Sequence, residues 1–246
     1  MATDSQIDDL VENSKIIFVG KVERLAATTM ATHPNSSSTV VVTVTRPLQA
    51  PRAIGDLTGQ RVTVELGGGP GVRVGQQAIF FTNGVVYGDT IVVQETGRLM
   101  VPPDPSARQT QLTSIAASIR AIPDRQIRRR LQSSAVVVTG KIVSVKPADR
   151  IRGPISEHDP DWRQAVLEVE SSESGLPMKQ LILFFPASRD VRWRQVPKFS
   201  VGQEGVFILQ RHQIKELKTP GYVALDPLDY HAKPRRDHIR ALIQRR

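Results

Sequence analysis

The sequence predicts a mainly β protein made of two tandem copies of one small barrel, each copy flanked by short helices. Three observations predict it. The 246-residue chain repeats its own apolar pattern about 120 residues further on. Each copy carries five short alternating stretches with no helical period between them, which argues for an antiparallel barrel rather than strand–helix–strand units. Hydrophobic residues make up 39% of the chain, an ordinary globular composition and too rich for a mainly disordered one.

The repeat is read in order along the chain. Asp4-Ser5-Gln6-Ile7 returns as Asp124-Arg125-Gln126-Ile127, and at the same offset Gly20-Lys21-Val22 returns as Gly140-Lys141-Ile142. Val40, Val42 and Val44 match Ala165, Leu167 and Val169, while Val62, Val64 and Leu66 match Leu181, Leu183 and Phe185. Val74-Gly75-Gln76 before Ile79-Phe80 matches Val201-Gly202-Gln203 before Val206-Phe207. The offset drifts while the alternation holds, so the copies differ mainly in loop length. They divide as 1–121 and 122–246.

A short helix opens each copy. Asp4 caps the first, before Ile7, Leu10 and Val11, and Asp124 caps the second, before Ile127 and Leu131. Strands are expected at 16–25, 39–46, 60–66, 77–82 and 90–95, then at 135–146, 164–170, 180–186, 205–210 and 221–225. Most are β-branched and alternate as half-buried strands do. A helix beginning at Asp104 or Ser106 closes the first copy through Leu112, Ile115, Ala116 and Ile119, and Pro123 separates it from the next. Asp237, Ile239, Leu242 and Ile243 close the second copy on a basic carboxyl-terminal helix.

Five strands with this order are the content of an OB-like barrel. The fold class is therefore two tandem five-stranded OB-like antiparallel barrels with short flanking helices. A strand ending Val19-Gly20-Lys21-Val22, the alternation of Val40–Thr45, then Val62–Leu66, then Val74-Gly75-Gln76 before Ile79-Phe80-Phe81 resembles the netrin-module group. That group includes the OB-fold inhibitory domain of tissue inhibitors of metalloproteinases and its bacterial relatives. The resemblance implies a barrel used mainly to bind other proteins. In those inhibitors a free amino-terminal cysteine chelates the target's zinc and disulfides brace the barrel. This chain has no cysteine, so that mechanism does not carry over.

A net charge of +9 suggests a nucleic-acid or membrane partner. Its distribution narrows that. Residues 1–120 are neutral, residues 121–132 carry +3, residues 233–246 carry +5, and the barrel between them only +1. The excess lies in Arg128, Arg129 and Arg130, and in Lys233, Arg235, Arg236, Arg240, Arg245 and Arg246. The opening helix is the reverse, with Asp8, Asp9 and Glu12. Three uses stay open: solvated helix faces, protein assembly in which acidic and basic helices meet, and salt-sensitive phosphate contacts through the tail. Groove-type nucleic-acid binding needs stacking aromatics, and the stretches 39–46 and 164–170 contain none.

The long loops of the second copy hold both tryptophans. One runs from Asp149-Arg150-Ile151-Arg152-Gly153-Pro154 through Glu157-His158-Asp159 to Trp162. The other holds Arg189, Arg192, Trp193 and Arg194 and ends near Lys198. Aromatic residues flanked by arginines have the make-up of an interface hot spot; alternatively each indole folds back to cover a barrel end. Loops Ala26–Ser38 and Gly67–Gly71 of the first copy are small and polar, and read less as recognition surfaces.

Catalytic motifs are weak. Gly67-Gly68-Gly69-Pro70-Gly71 lacks the Lys-Ser/Thr of a phosphate loop and leads into a strand. The five histidines have no zinc spacing, and His158 with Glu157, Asp159 and Asp161 lacks the pattern of a calcium hand. The amino terminus lacks a basic, apolar leader and no stretch spans a bilayer, so the expected place is the cytoplasm. The expected function is a non-catalytic protein-binding adaptor or assembly component, with a protein partner or self-association, no cofactor and no small-molecule substrate evident. The alternative is electrostatic nucleic-acid binding through the basic carboxyl-terminal helix.

Overall fold

The computed structural model describes residues 3–68, 71–149, 158–218 and 220–244. The chain is mainly β and divides into two compact units, Met1–Ile122 and Pro123–Arg246.

Unit 1 begins with helix α1, Asp4–Glu12. Its cap is Thr3 rather than Asp4: the Thr3 hydroxyl accepts the Gln6 N–H at 3.3 Å, and the Gln6 side chain accepts the Thr3 N–H at 3.0 Å. Asp4 then sits in the first turn, where a carboxylate suits the helix dipole. Strands β1 (Ile16–Leu25), β2 (Thr39–Gln49), β3 (Arg61–Glu65), β4 (Gln77–Tyr87) and β5 (Ile91–Met100) close into a barrel of order β1-β2-β3-β5-β4. Four of the pairings are antiparallel, but β3 and β5 run parallel, Val64 opposite Val93. That parallel pair lets five strands close the ring. Inside it lie Ile16, Phe18, Val22, Val40, Val42, Val44, Val62, Val64, Phe80 and Val93.

Outside the barrel, Ile17, Val19, Ile79 and Phe81 pack against Ile7 and Val11 of α1 and Ile115 of helix α2, Pro105–Ser133. Polar contacts join the same helices: Ser114 donates to Asp4 at 3.2 Å, and the Ser118 and Asp8 side chains share a hydrogen bond. Asp104 caps α2, accepting the Ala107 N–H at 2.7 Å. The helix runs through Pro123 instead of stopping before it. An interior proline removes one hydrogen bond and costs about 3 kcal/mol. Apolar anchors on both sides outweigh that here: Ile115 is buried in unit 1, and Ile127 and Leu131 in unit 2.

Unit 2 repeats the plan with β6 (Val136–Pro147), β7 (Trp162–Ser174), β8 (Gln180–Pro186), β9 (Glu204–His212) and β10 (Gly221–Val223), plus a short β11 (Tyr230–Ala232) beside β9. The sheet order is β10-β8-β7-β6-β9-β11, and β10 also pairs with β9, so the strand path returns on itself. Again the link to β8 is parallel. Phe185, Phe199, Phe207 and Tyr230 meet with ring centroids 5.1–5.6 Å apart in its core. On the outer face Ile127 and Leu131 of α2 join Ile239 and Leu242 of α3, Arg236–Gln244, over Val137, Val206 and Ile208.

The repeated glycines have physical causes. A Cβ at Gly20 would run into the Val42 side chain, and one at Gly140 into the Glu168 carbonyl oxygen. Gly75 and Gly202 hold φ of +83° and +89° in the turns that lead into β4 and β9, a region glycine enters without strain.

Candidate functional site

The segment between β8 and β9 is built on a braced turn. Ser188 Oγ accepts the Asp190 N–H at 3.2 Å, and Asp190 accepts the Arg192 N–H at 2.8 Å and contacts His158 Nδ1 at 3.1 Å. The Arg192 N–H, with help from His158, holds the Asp190 carboxyl below the usual range. Backbone bonds from Ala187 to Asp161 and from Ser188 to Pro160 tie the turn to the segment preceding β7. Asp161 there has φ of +47°, which aspartate tolerates better than most residues.

Trp193 anchors the turn. Its indole N–H donates to the His158 carbonyl at 2.9 Å, its ring lies 6.1 Å from that of Trp162, and the Arg192 guanidinium sits 5.3 Å above it. Lys198 closes the segment by donating to the carbonyls of Pro186 and Trp193. Burial pushes its pKa down. Val196 and Phe199 are buried below.

This places the sequence-selected residues in different roles. Trp162 opens β7, is 5% exposed, and packs with Ala148, Phe184, Ile214, Leu217 and Val223. It covers the sheet and leaves no indole surface for a partner. Lys198 and Trp193 form the brace. Arg189, Arg192 and Arg194 point outward with Val191, which is 79% exposed, and none of the three arginines forms an ion pair among the described residues. Residues Arg150–Glu157 of the other loop lie outside the described residues, as do Gly69 and Pro70.

Four cations of the basic helical segments are paired with carboxylates of the same unit. Arg236 and Arg240 both reach Glu173, at 2.8 and 2.5 Å, and that carboxylate is 1% exposed. Burial alone would raise the Glu173 pKa, but hydrogen bonds from Ser171, Thr139, Arg240 and Arg236 bring it to about 2. Lys233 bridges Glu170 and Glu204 at 2.7 and 3.2 Å. Arg130 holds Asp229, fully buried, at 2.5 and 2.8 Å. Burial pushes the Asp229 carboxyl up, while Arg130 and the N–H groups of Asp226 and Leu225 oppose that rise. Arg129 and Arg235 lie on the surface, Arg128 is partly covered, and Arg245 and Arg246 fall outside the described residues. On α1, Asp8 meets Ser118, Asp9 is exposed, and Glu12 is partly covered.

Sequence reasoning passed over two features. Glu173 and Asp229 are the buried carboxylates that use up the basic residues, and neither stands in a recognisable motif. In unit 1 the β4–β5 hairpin exposes Val85, Val86 and Tyr87; three apolar residues in a row at an expected turn were the available signal.

Among the described residues no helix is long and apolar enough to cross a membrane, and no three histidine, aspartate or glutamate side chains gather as a metal site. The fold and surface define a class, a mainly β protein of two sheets of five and six strands with flanking helices. The sequence matches no protein-family model and no curated protein.

Proposed function

We propose that the chain is a non-catalytic protein-binding adaptor or assembly component, and that turn 189–194 of unit 2 docks on an acidic surface of its partner. The observation that carries this reading is the contrast within unit 2. Arg130, Lys233, Arg236 and Arg240 spend their charge on carboxylates of the same unit, whereas Arg189 and Arg194 form no ion pair among the described residues and Arg192, exposed over Trp193, acts on Asp190 without a salt bridge. A turn held by Asp190, Trp193 and Lys198 presents those arginines with little ordering left to do on binding, which favours affinity. Arginine beside tryptophan supplies a hot spot, and the charge orients the encounter. The same internal pairing weighs against the nucleic-acid alternative, because a paired cation releases few counterions on meeting phosphate. The netrin-module resemblance and a cytoplasmic setting belong to this proposal, the latter supported by a chain without cysteine. A pull-down with the Arg192→Ala, Arg194→Ala double variant, which leaves the Trp193 brace in place, tests it: partner capture is lost while the thermal melt stays cooperative. Unchanged capture by the folded double variant refutes the assignment.

A further inference from the structure

We infer that unit 1 binds a small sugar phosphate on the outside of its barrel, in the cavity lined by Arg24, Thr28, Thr29, Arg61, Asp89 and Thr90. The cavity measures about 510 Å³, within the range of small-ligand sites. Segment 26–38 forms part of it by folding onto β3. Val62 and Val64 point into the barrel, so Thr63 between them faces outward, yet it is fully buried. The hydroxyls of Thr28 and Thr29 lie 3.1 and 2.9 Å from the Thr63 hydroxyl, which also accepts the Thr29 N–H at 2.8 Å. Further along, His33 Nε2 meets Glu65 at 3.0 Å. Thr29 donates in turn to Thr90 at 3.0 Å, which ties the segment to the turn between β4 and β5. The polar wall is therefore set before a ligand arrives.

The cations on that wall are available. Arg24 and Arg61 are exposed and form no ion pair among the described residues, and Asp89 forms none either. Thr90 accepts from Thr29, and its own O–H has no acceptor among the described residues. The barrel itself does not require the two arginines. Arg24 stands opposite Val41 and Arg61 opposite Thr43, where unit 2 sets Ser144 opposite Val166 and Gln180 opposite Glu168. The same strand scaffold thus carries serine and glutamine at the equivalent places.

The ligand follows from the groups present. Two guanidiniums on one cavity concentrate anions, and a tetrahedral phosphate meets both forks and keeps an oxygen for the Thr90 hydroxyl. Asp89 repels a bare phosphate but accepts hydrogens from hydroxyl groups, so the favoured ligand carries hydroxyls beside its phosphate. No aromatic side chain lines the cavity among the described residues, and a nucleotide base finds no stacking platform there. That selects a sugar phosphate over a nucleotide. The site shares no residue with turn 189–194 and does not depend on what that turn binds.

A ¹H–¹⁵N NMR titration of the full chain with ribose 5-phosphate tests it. The expected result is saturable shifts at the Thr29, Arg61 and Thr90 amides, with a dissociation constant on the order of 0.1–1 mM. Inorganic phosphate and ribose bind about tenfold more weakly, and AMP no more tightly than ribose 5-phosphate. Arg24→Ser with Arg61→Gln, the residues unit 2 carries, removes these shifts and leaves the rest of the spectrum in place. Asp89→Ala abolishes the preference for ribose 5-phosphate over phosphate. No saturable shift up to about 10 mM, shifts that persist in the double variant, phosphate bound as tightly as ribose 5-phosphate, or AMP bound more tightly overturns the inference.

Discussion

Replacing Glu173 with glutamine should loosen α3 from the sheet of unit 2, and the loss should depend on pH in a defined direction. The carboxylate is 1% exposed and is met by Thr139, Ser171, Arg236 and Arg240. Its pKa falls from the ordinary 4.5 to about 2 in the folded chain. That fall is worth about 3 kcal/mol at neutral pH if nothing screens it. The two arginines are 26% and 47% exposed, so solvent reduces the figure to about 2 kcal/mol. A group whose folded pKa is depressed adds stability that is complete above its unfolded value. That stability disappears as pH falls from about 5 towards 2. Urea unfolding of the parent and Glu173→Gln across this range measures the gap. We expect about 2 kcal/mol at pH 7, shrinking to under about 1 kcal/mol near pH 3. A gap that stays constant with pH, or is below about 0.5 kcal/mol throughout, refutes the assignment of Glu173 as the group that holds α3.

Two further outcomes follow from the packing. Asp229→Ala leaves Arg130 and two backbone N–H groups without their acceptor, and should lower stability by about 3–5 kcal/mol in a urea titration; a loss below 1 kcal/mol would show that solvent replaces the carboxylate there. Gly140→Ala should lower the melting temperature more than Gly20→Ala, because the first meets a backbone carbonyl and the second a valine side chain that can rotate. Equal melting temperatures would contradict the close strand approach at Gly140.

The alternation of Val40, Val42 and Val44, or of Leu181, Leu183 and Phe185, reports a local property, the side of the strand that meets the core. It is therefore legible in the sequence, as are the glycines at 20 and 140. The parallel β3–β5 and β8–β10 pairs are set by closure of the ring, which no local pattern records. Pro123 misleads for a related reason: a proline breaks an isolated helix, but anchors at Ile115, Ile127 and Leu131 belong to the tertiary fold. The site is legible in composition and not in role. Trp162 and Trp193 look alike in the sequence, yet the burial of Trp162 depends on Ile214 and Leu217, about fifty residues away. The charge of the tail reads as available until Glu173, more than sixty residues before it, is seen to bind Arg236 and Arg240. A net charge along a chain counts residues; a surface charge requires their partners.

In the proposed function the arginines of turn 189–194 carry partner recognition while the basic helices serve the fold. Affinity purification from the native host after nuclease treatment, read by mass spectrometry, tests it directly. The parent chain is compared with a variant carrying Arg189→Glu, Arg192→Glu and Arg194→Glu. A protein partner should be enriched with the parent and lost with the charge-reversed turn. The same partner recovered with both chains, or enrichment that vanishes with nuclease alone, would contradict it.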